Sequence, residues 1–189
     1  MDKILFVNAC PRPESRTLIL AEHLLSKLKG DISELKLYNE KISNLDRELL
    51  GKRTALAEAG DFSDDMFRYA GQFRESDILV IAAPYWDLSF PAMVKTYIEA
   101  ISVQGFTFQY NSEGIPQGLG RVKKVIYVMT AGGPVGNNNL GFDYVSAVCR
   151  GLFSINDVVC HKAEMLDVYG VDVDAVLAEA KAEIDRIYG

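Results

Sequence analysis

Apolar residues in this chain fall into short runs separated by longer stretches of three-four spacing. Five runs predict strands. Ile4 to Val7 is the first. Ile32 to Leu37 alternates apolar and polar positions, the pattern of a half-buried edge strand. Ile78 to Ala83 is uninterrupted and apolar, as a central parallel strand covered on both faces should be. Val125 to Met129 is the fourth, and Val158 to Val168 holds the fifth.

Helical patterns lie between these runs. From Ser15 to Lys29, Leu18, Ala21, Leu25 and Leu28 mark one buried face, and Ser15 is placed to cap the start. Leu49 to Glu75 predicts one or two helices broken near Gly60-Asp61. Pro91 to Ile101 begins with proline at a first helical position. Leu140 to Phe153 and Asp172 to Ile187 complete the set. Between the third helix and the fourth strand, Gly105 to Gln117 reads as an inserted hairpin. Phe106, Phe108 and Tyr110 alternate there, and Asn111 to Gly114 supplies the turn.

Strands alternating with helices imply a parallel sheet covered on both faces. With five strands, the expectation is an α/β flavodoxin-like doubly wound fold in strand order 2-1-3-4-5. A length of 189 residues suits one domain spanning the whole chain. In such sheets ligands bind beyond the carboxyl ends of the strands, where the strand order reverses. Function should therefore sit in the loops after the first, third and fourth strands.

Composition narrows the ligand. Asp plus Glu exceed Lys plus Arg by 26 to 20, and Lys123-Lys124 is the densest basic spot. Nucleic acid and anionic membrane surfaces are therefore not expected as partners. No stretch has the apolar length of a membrane span or the layout of a secretory signal, so a cytoplasmic location is expected. Cys10, Cys149 and Cys160 form no CxxC, and with only His23 and His161 no metal-ligand spacing arises.

The first loop, Asn8 to Thr17, opens a helix. Its free N–H groups and dipole favour an anion, helped by the Ser15 and Thr17 hydroxyls and by Arg12 and Arg16. It carries neither GxGxxG nor GxxxxGK[ST], so a single phosphate fits better than a pyrophosphate. A plain helix cap with exposed arginines is the competing account of this loop. Cys10 near a helix start is weighed as a reactive thiol, without a partner base. The second loop, Pro84-Tyr85-Trp86-Asp87-Leu88-Ser89-Phe90-Pro91, makes a stiff aromatic rim whose backbone groups suit the edge of a flat heterocycle. Asp87 is either a general base or, more in keeping with its setting, a turn-capping residue. In the third loop, Thr130-Ala131-Gly132-Gly133, the glycines admit a ligand close to the backbone. Asn137 to Asn139 then form a polar segment that would suit a lid.

These loops give the chain a resemblance to the FMN-dependent NAD(P)H quinone reductases and azoreductases of the flavodoxin-like superfamily. The stretch from Pro84 through Glu99, continued by Gly105 to Tyr110, carries most of it. Asn8 to Thr17, Thr130 to Gly133 and Leu152 to Asp157 add to it. The resemblance implies an FMN cofactor with its phosphate near Ser15, Arg16 and Thr17. It implies an isoalloxazine along Pro84, Tyr85, Trp86, Asp87 and Leu88, and a pyrimidine edge at Gly132 and Gly133. Asn8, Arg12, Thr130 and Ala131 belong to the same implied cofactor site. NADH or NADPH would be the co-substrate, and a quinone, azo compound or similar small molecule the electron acceptor, in a ping-pong hydride transfer. The resemblance also implies a homodimer with the active site at its interface. Departures are Ala9-Cys10 where relatives often carry serine, Asp87 where many azoreductases carry asparagine, Ala131 at an often polar or basic position, and Asn138 and Tyr144 where some quinone reductases use Tyr and His to polarise substrate. No side-chain acid or base is required, so no catalytic residue is named, and no metal is implied. A flavodoxin-type electron carrier and an FMN or iron reductase are the alternatives.

Overall fold

Period-two alternation sorts the side chains of the central strands onto two faces. The computed structural model describes residues 1–189. Its main sheet contains β1 (Asp2–Asn8), β2 (Gly30–Lys36), β3 (Ile78–Ala82), β6 (Lys124–Thr130) and β7 (Asp157–Ala163). They pair in parallel in the order β2-β1-β3-β6-β7, the predicted doubly wound topology. Between β3 and β6 the chain forms a separate antiparallel hairpin, β4 (Phe108–Tyr110) with β5 (Pro116–Gly118), where the insertion was expected.

Leu5, Val7, Leu79, Ile81, Val125, Tyr127 and Met129 point to one face. They pack with α3 (Arg68–Glu75), α4 (Ala92–Ile101) and α5 (Leu140–Gly151) in a core of 26 buried residues. Ile4, Phe6, Val80, Ala82, Ile126 and Val128 point to the other. They meet α1 (Arg16–Lys27) and α6 (Val173–Tyr188) in a second core of 16. At roughly 1.5–3 kcal/mol per fully buried large apolar side chain, these two layers dominate the folding free energy.

The edge strand β2 is more exposed than its alternation suggested, since only Leu35 is buried. In α1 the buried stripe is Thr17, Leu20, Ala21, Leu24 and Leu25, with Leu18 and Leu28 only partly covered. The stripe is rotated from the predicted one because α1 packs against α6 as well as the sheet. The long central segment is broken where expected, into α2 (Arg47–Glu58) and α3, with a 3₁₀ turn at Asp65–Phe67. Pro91 caps α4 from outside instead of forming its first residue. Strand β7 stops at Ala163, five residues short of the predicted limit. Leu166 is buried beneath the loop that follows and Val168 lies on it, so neither extends a strand. No helix is long and apolar enough to cross a membrane.

Candidate active site

Parallel strands deliver their carboxyl ends to one edge of the sheet, and β1 lies between β2 and β3, where the winding reverses. At that edge four loops enclose a cavity of about 370 Å³, within the usual range of small-molecule sites. From the first loop it is lined by Pro11, Arg12, Glu14, Ser15, Arg16 and Thr17. Pro84, Tyr85 and Trp86 come from the second, and Thr130, Ala131 and Gly132 from the third. Leu166 and Asp167 come from the loop after β7. That fourth loop was not anticipated, because its apolar residues were assigned to a longer strand.

The first loop turns on Asn8. This residue is fully buried and does not reach the cavity. Its Oδ1 accepts from Cys10 N–H at 2.9 Å and its Nδ2 donates to Glu34 Oε1 at 2.8 Å. Asn8 therefore holds the loop against β2 instead of lining the cavity as expected. Ser15 caps α1, its Oγ accepting from Leu18 N–H at 3.3 Å. The N–H groups of Arg16 and Thr17 find no acceptor within the chain. They supply the anion-binding end of a helix, directed at the cavity.

Cys10 is buried, and burial pushes its thiol up to about 11 against a smaller opposing contact from the Ser15 hydroxyl. At neutral pH it is a packed thiol, not a nucleophile.

In the second loop, Trp86 and Ser89 exchange backbone hydrogen bonds, Ser89 N–H to Trp86 O at 2.8 Å and Trp86 N–H to Ser89 O at 3.1 Å. The two residues between them are left-handed, with φ 51° at Asp87 and 66° at Leu88. Two positive φ values define a type I′ turn, a shape normally given to Asn-Gly. At Leu88 this costs about 1–2 kcal/mol, and less at Asp87, whose short polar side chain tolerates the left-handed region; strain of this kind concentrates at functional sites. The turn leaves the N–H groups of Asp87 and Leu88 without acceptors. The Asp87 carboxylate caps nothing, and neither its side chain nor that of Leu88 lines the cavity.

Cross-links fix the loops to one another. Thr17 Oγ1 and Thr130 Oγ1 share a hydrogen bond of 2.6 Å. Tyr85 N–H donates to Thr130 O at 3.0 Å, and Tyr85 Oη donates to Asn138 O at 2.9 Å. The Asn137 to Asn139 segment is thus tied to the second loop, and Asn139 caps α5. Leu166 N–H donates to Ala131 O at 3.1 Å and Asp167 N–H to Gly132 O at 2.9 Å. A Cβ at Gly132 would lie 2.2 Å from Asp167 Oδ2, so glycine here leaves room for the Asp167 carboxylate. Gly132 and Gly133 both have free N–H groups, although only Gly132 lines the cavity. The Arg12 guanidinium sits 5.9 Å from the centre of the Trp86 ring, within reach of a cation–π contact. Phe90 meets Tyr144 edge to face beside the cleft.

This donor set suits FMN. Unpaired N–H groups and the Arg16 side chain cluster at the helix end, where a phosphate monoester would sit. A second set of free N–H groups, at Asp87, Leu88, Gly132 and Gly133, belongs to the loops beside the aromatic wall. The parts of a phosphorylated, ring-bearing ligand find matching partners on separate loops.

Fold and site together define a doubly wound α/β protein with a phosphate-plus-heterocycle cleft at its topological switch point. The chain belongs to the flavodoxin-like family, whose description matches residues 2–187, and its curated relatives lie among the FMN-dependent NADH:quinone oxidoreductases. The relative of that name from Coprothermobacter proteolyticus is 34% identical, over 99% of this chain and 98% of its own. That from Clostridium perfringens is 35% identical, over 95% and 94%. Among solved structures, an azoreductase from Bacillus anthracis superposes with a TM-score of 0.85 at 25% identity, covering 100% of this chain and 99% of its own. An FMN-dependent NADH-azoreductase from the same organism, in complex with FMN, gives 0.80 at 20% identity with full coverage of both chains. At that identity the likeness concerns the fold.

Proposed function

We propose that this chain is an FMN-dependent NAD(P)H oxidoreductase whose acceptor is a quinone, an azo compound or a similar small molecule. The observation that carries this is the pairing, in one cleft at the switch point, of a helix-end anion site with a strained turn offering two free N–H groups. When bound, FMN supplies the two-electron chemistry, accepting hydride from a reduced nicotinamide and donating it to the acceptor in alternation. The protein's residues bind and orient. Arg16 and Thr17 offer backbone N–H groups and side-chain donors to the phosphate, with Ser15 shaping the helix start and Arg12 adding charge. Pro84, Tyr85 and Trp86 form the wall along the ring. The N–H groups of Asp87 and Leu88 serve its edge, and those of Gly132 and Gly133 donate to the pyrimidine side, where negative charge grows on reduction. Asn8, Thr130 and Ala131 set the loops that carry these groups.

Residues 1–189 act as one domain in this proposal, in the cytoplasm, and as a homodimer with the cleft at its interface. Trp86, Leu88 and Leu140 support the dimer, being 37%, 51% and 51% exposed beside the cleft, an apolar rim suited to a partner. Light scattering should give twice the 21.0 kDa chain mass. A monomer with full turnover would remove the interface claim.

The test of function is the visible spectrum of the protein reconstituted with FMN, before and after NADH or NADPH and then a quinone. Bleaching by the nicotinamide and recovery on quinone addition are expected. Bound flavin that neither nicotinamide bleaches would overturn the reductase in favour of an electron carrier. No bound flavin at all would overturn the cofactor itself.

A further inference from the structure

Arg16 enters the cleft held from behind. Its Nη1 donates to the Leu166 carbonyl at 2.9 Å and to Asp167 Oδ1 at 2.8 Å. Both Nη1 protons are thereby used. Nε and Nη2 donate to nothing in the chain, and they form the edge of the guanidinium with two parallel N–H bonds, the geometry that grips a phosphate in bidentate fashion. The anchor is itself fixed, since the N–H groups of Leu166 and Asp167 donate to Ala131 O and Gly132 O. The Asp167 carboxylate lies directly against Gly132, where any side chain would displace it.

We propose that Asp167 is a positioning residue for the phosphate site: with the Leu166 carbonyl it holds Arg16 so that the open Nε–Nη2 edge is left for a phosphate monoester. The inference rests on the FMN proposal and extends it to a loop that sequence patterning did not implicate. Its sign is distinctive. A carboxylate acting only as a charge beside an anion site weakens anion binding, so its removal would strengthen binding. A carboxylate acting as an anchor does the opposite, because a loose arginine must be ordered each time the ligand binds.

The experiment compares FMN with riboflavin, which lacks the phosphate, by quenching of flavin fluorescence in the parent chain, Asp167→Ala and Asp167→Asn. Asp167→Ala should weaken FMN binding about fivefold, the upper end of the worth of an exposed ion pair, and leave riboflavin unchanged. Asp167→Asn keeps an acceptor oxygen for Nη1 and should bind FMN within about twofold of the parent. FMN affinity in Asp167→Ala equal to or above the parent's would overturn the proposal. So would an equal loss for both flavins, which marks a collapsed loop. If the parent binds neither flavin, the FMN proposal fails. The anchor is then read by titrating inorganic phosphate against the Arg16 Nε–H resonance. A phosphate-induced shift lost in Asp167→Ala supports it, and an unaltered shift overturns it.

Discussion

Replacing the Thr17 and Thr130 hydroxyls by methyl groups, singly and together, sets folding stability against ligand affinity in a way that only a shared hydrogen bond produces. Both side chains are nearly or fully buried, at 1% and 9% exposure, and their oxygens lie 2.6 Å apart. Valine is nearly isosteric with threonine, so packing is kept. Thr17→Val strands the Thr130 hydroxyl, and Thr130→Val strands that of Thr17. A buried polar group left without a partner costs about 1–3 kcal/mol, and the cavity's access to water puts these at about 1 kcal/mol each. The double variant strands nothing and should return close to the parent, giving a coupling of about 2 kcal/mol in a double-mutant cycle. In a chain of this size each single change should lower Tm by about 2–4 °C. Affinity follows another order. Of two paired hydroxyls only one donates to the other, so the pair has one O–H left for the cavity. Either single variant keeps a hydroxyl there, whereas the double variant has none and should bind FMN about tenfold more weakly, the worth of a hydrogen bond to a charged group. Urea unfolding and FMN titration on the same four proteins read both quantities. Strictly additive stability losses would refute the shared bond, and parental FMN affinity in the double variant would refute a hydroxyl donated to the ligand.

Three further outcomes follow from the buried polar groups. Asn8→Ala removes both loop anchors and should cost about 1–3 kcal/mol in urea unfolding while weakening FMN binding; unchanged affinity would show that the first loop holds its shape without them. Burial pushes the thiols of Cys10, Cys149 and Cys160 up to about 11, 12 and 12, so a thiol reagent at pH 8 should label the native chain slowly and all three sites only after unfolding. Rapid native labelling at Cys10 would revive it as a reactive group. Burial also lowers the pKa of His161 from 6.5, with Lys124 adding to this and Glu183 opposing; because the unfolded chain then holds the proton more tightly, this contribution to stability is present above about pH 6.5 and is lost as the pH falls below it. Urea midpoints between pH 7.5 and 5.5 should fall less in His161→Gln than in the parent, and equal slopes would count against this.

The topology was legible because strand and helix periods differ. The uninterrupted apolar run from Ile78 to Ala83 could only be a strand covered on both sides. Ser15 and the broken pattern at Gly60-Asp61 marked helix ends through local chemistry that tertiary context did not override. The α1 stripe was misplaced because Leu18, Ile19 and Leu20 are consecutive. Which of them turns inward depends on α6, distant in sequence. The site was legible where a loop followed a clear strand. It was missed after β7, because Leu166 and Val168 look like strand residues when nothing marks Ala163 as the last one. The Asp167 contact to Arg16 spans 151 positions, and no local pattern could connect them. Asn8 stood at the right strand end, but only its bonds to Cys10 and Glu34 show that it faces inward.

The left-handed pair at Asp87 and Leu88 has a consequence for anyone selecting sturdier variants of this chain. Glycine at position 88 would relieve about 1–2 kcal/mol, among the largest gains open to a single exchange outside the core. A screen that rewards heat tolerance alone will therefore be drawn to the rim of the cleft before it touches the rest of the surface. Leu88 is half exposed, so the exchange would pass unnoticed in expression and solubility while removing an apolar side chain from beside the cleft and loosening the turn that presents the Asp87 and Leu88 N–H groups. Libraries aimed at durability should hold these two positions fixed, or score turnover alongside melting.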